Sequence, residues 1–210
     1  EQRINSKNKL TLGATYGLGH DVNRSAAFYN QRIQSNTVIS GDTLNCRNAF
    51  QLPHTFGVGL TWAHNNSLRV GADYTFQKWS NVKFPDVVTP DEYVTQKGFF
   101  ADMHKVSLGA EYIPNPEGMR WRQRVRYRAG LSYATSYAKI NGNDGPHDFL
   151  AALGVALPIM NAYNSRSLIN FSVQYEHVKP KTAGMITENY IRFSIGLTFN
   201  ERWFMKWKVD

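Results

Sequence analysis

Three arginines at alternate positions, Arg124, Arg126 and Arg128, form the clearest charged cluster in the sequence. Side chains two positions apart in an extended strand point to the same face, so this spacing predicts a row of like charges. Such a row is costly unless water or carboxylates accompany it. It could form structural ion pairs with neighbouring acids, or it could guide an anionic group such as a carboxylate. The sequence leaves both interpretations open.

Acidic residues on neighbouring predicted strands are the expected partners of this row. The turn that follows Glu111 is predicted to bring it close to Arg124 or Arg126. Across the other neighbouring strand, Arg69 and Asp73 are predicted to lie near Glu111 on the same face. The sequence therefore predicts a network of mixed charge along one face of a sheet.

A second pair of partners is predicted near the end of the chain. Arg192 on the last predicted strand should meet Gln174 or Glu176 on the strand before it. The complete set of candidate polar-face residues, which we interpret as facing a water-filled interior, is Arg69, Asp73, Glu111, Arg124, Arg126, Arg128, Gln174, Glu176 and Arg192.

Motifs of enzymes and metal sites are missing from the sequence. It contains no HExxH zinc motif, no GxSxG nucleophile elbow and no paired carboxylates at catalytic spacing. The single cysteine, Cys46, lies in a polar segment and is interpreted as a loop thiol. We therefore expect no enzyme activity, no metal and no cofactor. The six scattered histidines are His20, His54, His64, His104, His147 and His177.

The composition restricts the classes of protein to which the chain could belong. It has 210 residues, a net charge of +8, 42% hydrophobic residues and 13% aromatic residues. No apolar run approaches the roughly 18 residues of a membrane-spanning helix. The lysines and arginines are scattered among predicted strands and turns and do not cluster on a helix or tail, which argues against nucleic-acid binding.

The stretch from Leu52 to Val82 organises the remainder of the prediction. Apolar and small or polar residues alternate in two arms that flank AHNNS, and a period of two is the signature of strands. Asn65 and Asn66 readily adopt positive φ, so they are expected to close an antiparallel hairpin. The apolar positions of the two arms are Phe56, Val58, Leu60, Trp62, Leu68, Val70, Ala72, Tyr74 and Phe76.

The same alternation recurs along the chain and predicts about eight strands. Short connections follow the second, fourth and sixth strands, and longer ones follow the others, as in outer-membrane barrels. The β-branched residues at 37–39 are expected to form a protruding hairpin. The predicted organisation is a lead-in at 1–8, barrel strands at 9–199 with long loops at 22–53 and 80–103, and an aromatic and basic tail at 200–210.

The fold is either a soluble sandwich with its apolar faces inside or a transmembrane antiparallel β-barrel. Glycine weakens a solvated strand but suits a crowded concave interior, and here it is frequent on the non-apolar face, which favours the barrel. Leu12, Leu108 and Ile195 would then face lipid. Thr15, Ser107 and Ser194 would face inward. The candidate membrane-interface aromatics are Tyr16, Trp62, Tyr74, Trp79, Tyr112, Tyr133, Tyr175, Trp203 and Trp207.

The segment LPHTFGVGLTWAHNNSLRVGADYTFQKWSNV resembles the FadL-like outer-membrane transport family, as does the preceding KNKLTLGATYGLGHDV. The resemblance implies a fourteen-stranded barrel with an N-terminal hatch, of which this chain would be the C-terminal half. We therefore expect an open wall with edges at Lys9 and Phe199, completed by further strands. The family's hatch has no counterpart in the sequence, so no ligand-binding residue is carried over.

Two functions follow from these observations. The first is passive uptake of hydrophobic compounds such as long-chain fatty acids across the bacterial outer membrane, as the resemblance implies. The second is a structural or interaction role, in which the barrel is a subunit of a larger outer-membrane protein assembly. The expected partners are outer-membrane lipid, hydrophobic or amphipathic small molecules and other outer-membrane proteins, and no nucleic acid.

Overall fold

The computed structural model describes residues 2–89, 92–140, 142–159, 167–182 and 184–199. Strands dominate this part of the chain, and it contains no helix of the length and apolarity that a membrane crossing needs. The strands in chain order are β1 (Gln2–Arg3), β2 (Asn8–Gly17), β3 (Asp21–Val22), β4 (Ala26–Gln34), β5 (Thr37–Cys46), β6 (Phe50–Gln51), β7 (Thr55–His64), β8 (Leu68–Gln77), β9 (Phe84–Thr89), β10 (Glu92–Gln96), β11 (Met103–Tyr112), β12 (Arg126–Thr135), β13 (Lys139–Ile140), β14 (Asn143–Asp144), β15 (His147–Ile159), β16 (Ser167–Lys179) and β17 (Glu188–Thr198).

One antiparallel sheet contains all eight long strands that the alternation predicts. Its order is β1-β2-β7-β8-β11-β12-β15-β16-β17, so each of these eight strands pairs with its neighbours among the eight in chain order. Within the described residues β2 and β17 are not paired with each other, and the sheet is open, as expected. The sheet extends one short strand beyond the expected edge at Lys9, because the two-residue strand β1 pairs with β2.

The longer connections share one end of the sheet and carry small hairpins. Strands β4 and β5 pair with each other, which confirms the hairpin expected around residues 37–39. The long loop expected at 80–103 contains regular structure of its own. It contains a 3-10 turn at Trp79–Asn81 and the paired strands β9 and β10. Two further two-stranded pairs, β3 with β6 and β13 with β14, lie at this long-loop end.

Short connections lie at the opposite, short-turn end of the sheet. The turn between β7 and β8 places Asn65 and Asn66 at φ values of 49° and 54°, which confirms the expected left-handed asparagines. The connection between β11 and β12 contains a second 3-10 turn, Trp121–Arg124. This end is tied together across strands, because the backbone amide of Ile113 donates to the carbonyl of Ser67 at 2.7 Å.

The two faces of the sheet have exposures opposite to those of a soluble protein. Along β7 the threonines and glycines are half-buried, whereas the apolar residues between them are exposed. Leu12, Leu108 and Ile195 are 72%, 52% and 75% exposed. These side chains are not packed inside a sandwich. The soluble-sandwich alternative is therefore wrong for the described residues, and the apolar face needs a nonaqueous environment.

Among the described residues few hydrophobic side chains are buried, and most of these lie beyond the sheet ends. Cys46, Ala49 and Val82 are buried at the long-loop end, and Ile113 and Val125 are buried at the short-turn end. Cys46 is therefore not an accessible loop thiol, and burial raises the pKa of its thiol. A thiol of this kind is a poor nucleophile because little thiolate forms near neutral pH.

Candidate functional site

An ion-pair network occupies the polar face near the short-turn end, with Glu111 at its centre. Arg128 lies directly opposite Glu111 in the register of β11 and β12, and its Nε donates to Glu111 Oε2 at 2.8 Å. Nη1 atoms of Arg69 and Arg126 each lie 3.9 Å from Glu111 Oε1. Three guanidinium groups thus share one carboxylate, and the network keeps a surplus of positive charge.

The network continues across the sheet from Arg128. Its Nη1 donates to Asn170 Oδ1 on β16 at 3.2 Å, and Asn170 Nδ2 donates to Thr198 Oγ1 on β17 at 3.2 Å. Strand β15 lies between β12 and β16, and Gly154 is the residue of β15 that pairs with Arg128. A Cβ added at Gly154 would lie 3.3 Å from the Phe171 carbonyl oxygen. A side chain at this position would therefore be crowded by the backbone of β16.

The predicted arginine row is wrong at one position. Strand β12 begins at Arg126, so only Arg126 and Arg128 of the three share its polar face. Arg124 ends the preceding 3-10 turn, and its Nε donates to the carbonyl of Gly118 at 2.7 Å. The 13-residue connection that contains this turn is longer than a tight hairpin, so Arg124 belongs to the turn and not to the strand.

The position predicted for Asp73 is also wrong. Asp73 lies opposite Ser107 on β11 and Gly59 on β7, whereas Glu111 lies opposite Arg69. Four residues of strand therefore separate the two carboxylates. Asp73 leans over Gly59, where an added Cβ would collide with its Oδ1. It belongs to a second polar region, a shallow recess of about 270 Å³ among the threonines and glycines of β2, β7 and β8.

Arg192 has both of its expected neighbours. Its Nη1 donates to Gln174 Oε1 at 3.1 Å, and its Nη2 lies 3.4 Å from Glu176 Oε2. Gln174 is directly opposite Arg192 in the register, and Glu176 is diagonal to it. This second ion pair joins β16 and β17 on the same face as the Glu111 network, closer to the long-loop end.

The apolar face carries a repeated tyrosine pair at the long-loop end. In each of the four hairpins joined by a longer connection, a tyrosine near the end of the first strand contacts a histidine or asparagine at the start of the next. Each pair is diagonal, two residues beyond direct register. The pairs are Tyr16 with His54 Nδ1 at 2.8 Å, Tyr74 with His104 Nδ1 at 2.8 Å, Tyr133 with His147 Nδ1 at 2.7 Å and Tyr175 with Asn189 Oδ1 at 2.8 Å.

These four pairs, here named the tyrosine belt, were not predicted from the sequence. In the last pair His177 Nδ1 also donates to Asn189 Oδ1 at 2.7 Å. Phe56 and Phe76 connect the first pair to the second, with ring distances of 5.0 Å to Tyr16, 6.3 Å between the two phenylalanines and 5.0 Å to His104. Phe149 connects the third pair to the fourth, at 4.8 Å from Tyr133 and 6.4 Å from His177. The sequence does contain a signal for these pairs. A strand with a tyrosine near its end is followed by a strand that has a histidine or asparagine near its start. This signal becomes visible only when the strand register is known.

The remaining predicted interface aromatics occupy different positions. Trp62 and Tyr112 lie on the apolar face towards the short-turn end, and the Trp62 ring lies 5.9 Å from that of His64. Trp79 does not continue strand β8. It lies in the 3-10 turn and stacks on Tyr137 at 4.3 Å. Trp203 and Trp207, with the rest of the tail at 200–210, lie outside the described residues.

Asp102 fixes the loop that follows β8 to the start of β11. Its Oδ1 accepts the backbone amide of Ser80 at 2.8 Å, and Lys78 Nζ lies 3.2 Å from its Oδ2. Desolvation opposes ionisation of this carboxyl, but these hydrogen bonds and the Lys78 charge outweigh it and lower the pKa of Asp102. Within the described residues no group of three or more His, Cys, Asp or Glu could hold a metal ion.

A solved structure supports the fold. The chain is similar to the CymD monoaromatic hydrocarbon channel, with a TM-score of 0.56 and 22% sequence identity over 91% of this chain and 47% of that one. At this identity the likeness concerns the fold alone. The chain spans about half the length of the channel that it matches. A search of curated proteins gave no match.

A family model assigns the chain to a different family from the one that the central hairpin resembles. The assignment to FadL-like transport proteins is wrong as a family assignment, because the model that matches is that of BamG, and the match extends over residues 1–210. The alternating hairpin from Leu52 to Val82 is shared by barrels of several kinds, so it could not distinguish them. The chain belongs to the BamG family.

Proposed function

We propose that the chain forms part of the wall of an outer-membrane β-barrel and acts as a membrane-embedded subunit of a larger outer-membrane assembly. The exposed apolar face of the large sheet is the single observation that supports the proposed location in the membrane. Membership of the BamG family, which is related to the BAM complex, supports the assembly half.

Strand length agrees with a membrane crossing. The strands β2, β7, β8, β11 and β12 each have 10 residues. A tilted strand of about 9–11 residues crosses the hydrocarbon core of a bilayer. The side chains between the tyrosine belt and the short-turn end are aliphatic or aromatic on one face. In this proposal they contact lipid, while the face that carries Glu111 contacts water inside the barrel.

The tyrosine belt suits one boundary of the membrane. A tyrosine has an apolar ring and a polar hydroxyl, and such residues are enriched where lipid meets water. Each hydroxyl of the belt has a partner on the adjacent strand, so no unpaired polar group would enter the hydrocarbon. We propose that the belt sets the depth of the sheet at the long-loop side.

The open edges of the sheet require completion in a bilayer. Strand β17 has one neighbouring strand, β16, within the described residues, and its outer backbone groups lack partners in this sheet. Unpaired backbone groups cost several kcal/mol each in hydrocarbon. We propose that further strands complete the wall, and the match to about half of a longer channel agrees with this interpretation.

The assembly role is tested by purification in mild detergent from the native membrane. We expect the protein to purify with at least one outer-membrane protein at constant stoichiometry through two successive columns. A barrel that purifies alone and mediates uptake of hydrophobic compounds would contradict the assembly role and favour the transport alternative.

A matched variant separates structural and transport roles of the polar face. Replacing Arg126 and Arg128 with glutamine should lower the melting temperature without changing uptake or assembly, because both arginines pair with Glu111. Loss of uptake in a normally folded barrel would instead indicate that these charges guide an anionic substrate. The control is R24Q together with R47Q, which removes two exposed charges from the long-loop end.

A further inference from the structure

The connection between β11 and β12, residues 113–125, is unusually basic and is here named the basic turn. Together with the start of β12, residues 113–128 contain five arginines and a single carboxylate, Glu117. Arg126 and Arg128 already share Glu111 with Arg69. In the described part of the chain no carboxylate lies within ion-pair distance of Arg120, Arg122 or Arg124. The turn therefore presents positive charge that the sheet itself does not neutralise.

Hydrogen bonds hold the basic turn in one conformation. The amide of Asn115 donates to the Gln123 carbonyl at 2.8 Å, and Arg124 Nε donates to the Gly118 carbonyl at 2.7 Å. Gly118 lies so close to Gln123 that an added Cβ would collide with its side chain. Val125 is buried beneath the turn. A surface that is already ordered loses little conformational entropy when it binds a partner.

The exposed side chains of this turn are of the kinds that dominate protein interfaces. Met119 is 90% exposed, the highest value among the described large hydrophobic residues, and Trp121 is 44% exposed. Trp121 Nε1 donates to the carbonyl of Pro158 at 2.8 Å, which fixes the orientation of the ring. Arg120 and Arg122 are exposed on either side of Trp121. Methionine, tryptophan and arginine are enriched at protein interfaces, and tryptophan and arginine are frequent among the residues that contribute most of the binding energy.

A recess of about 430 Å³ adjoins the turn, large enough for an apolar side chain. Arg124 and Arg126 supply its positive charge, and Pro158 and Leu168 supply apolar surface. Arg126, Pro158 and Leu168 belong to the polar face of the sheet, so the recess opens away from the face assigned to lipid. This position favours a protein segment over a lipid headgroup as the occupant. The lining residues are Ile113, Pro116, Glu117, Arg124, Arg126, Pro158 and Leu168.

Charge complementarity identifies the occupant. The chain's own segment 200–210 carries Arg202, Lys206 and Lys208 against two acids, and like charge would repel it from the turn. We propose that the basic turn and its recess bind an acidic segment of a partner protein, with an apolar side chain of that segment in the recess. This inference rests on the subunit role proposed above and names the chemistry of the partner at the short-turn side.

Fluorescence anisotropy with the detergent-solubilised full chain tests whether the basic turn and its recess bind an acidic segment when no partner protein is present. The probe is a fluorescein-labelled peptide of alternating acidic and apolar residues, and a peptide with lysine in place of each acid is the negative control. We expect salt-sensitive binding of the acidic peptide only. R120Q combined with R122Q should weaken it about tenfold, whereas R24Q combined with R47Q removes equal charge at the opposite end and should change it less than about twofold.

Several results would overturn the inference. Equal weakening by both double variants would mean that only net charge matters. Displacement of the probe by phosphatidylglycerol vesicles would identify a lipid-headgroup site, and displacement by a peptide of residues 200–210 would identify the chain's own tail as the occupant. M119S should weaken the probe without altering charge, and an unchanged affinity would remove the apolar contact from the proposal.

A second measurement separates this inference from the subunit role. A photoactivatable amino acid at Met119 should crosslink to an acidic segment of a co-purifying protein, and the same amino acid at Ile186, exposed at the long-loop end, should not reach that segment. Probe binding by a protein that purifies alone would contradict the subunit role but leave the surface intact. A co-purifying partner with no probe binding and no crosslink at Met119 would contradict the surface alone.

Discussion

Replacing Glu111 with glutamine tests whether the polar-face network stabilises the sheet. The variant keeps the side-chain shape but leaves three guanidinium groups around an uncharged amide. The bond from Arg128 at 2.8 Å is charge-assisted, and such bonds contribute about 1.5–3 kcal/mol. The pairs with Arg69 and Arg126 at 3.9 Å involve partly exposed guanidiniums, and exposed pairs contribute about 0.2–1 kcal/mol each. Because glutamine still accepts a neutral hydrogen bond, we expect E111Q to lower the free energy of unfolding by about 2 kcal/mol.

The assay is urea unfolding of protein in lipid vesicles, followed by tryptophan fluorescence. E176Q is the matched control because the Glu176 and Glu111 side chains have similar exposure, 22% and 19%, but Glu176 pairs with a single arginine at 3.4 Å. We expect E176Q to cost about 0.5 kcal/mol. The E111Q and R128Q double-mutant cycle should give a coupling energy of about 1–2 kcal/mol. Equal effects of E111Q and E176Q, or a coupling energy near zero, would refute the network.

Three further predictions concern the sheet ends. The pKa of Asp102 lies below its ordinary value of 3.8, so its ion pair with Lys78 is lost only when pH falls through that lowered pKa. Proteolysis of the loop after β8 should therefore increase in acid. D102N should abolish this acid-dependent increase. Y133F should lower the free energy of unfolding by about 1 kcal/mol, since it removes the hydroxyl that pairs with His147. G118A should disorder the basic turn, because the added methyl group collides with its interior, and proteolysis there should increase.

Each of these predictions has a control in the same chain. Asp144 forms an exposed ion pair, so an identical pH profile in D102N and D144N would refute the assigned role of Asp102. Tyr127 lies on the same strand and face as Tyr133, and its hydroxyl has no hydrogen-bond partner among the described residues, so Y127F should be neutral in urea unfolding. A Cβ added at Gly13 would lie in open space, so G13A should be tolerated. If G13A destabilised the protein as much as G118A, a steric collision would not explain the effect of G118A.

Much of the fold follows from the period of two. Alternation along β2, β7 and β11 was sufficient to predict strands, since the apolar and polar faces are nearly complete on each. The segment containing β9 and β10 was missed because Pro85 and Pro90 suggested irregular structure. Pro85 nevertheless lies within β9, which belongs to a two-stranded pair, where an edge position tolerates proline.

The candidate site was less accessible to sequence reasoning. Predicting that Glu111 pairs with Arg128 needs the register of β11 and β12, and that register depends on the length and shape of the intervening turn. Counting from an assumed tight turn placed Arg124 on the strand and predicted Arg124 or Arg126 as the partner of Glu111. Arg126 does contact Glu111 at 3.9 Å, but the residue directly opposite Glu111 is Arg128. The family assignment failed for a different reason, because the hydrophobic alternation of a barrel wall reports its environment and not the machinery to which it belongs.

The tyrosine belt has a consequence for the evolution of a barrel wall built from such strands. Each unit of two strands joined by a longer connection contains its own tyrosine and the histidine or asparagine that partners it. Duplication or deletion of one unit would therefore alter the circumference of a barrel while every remaining unit kept its anchor at the same height. Under the membrane role proposed here, this modularity would let pore width diverge between relatives without a new solution to the problem of position in the bilayer.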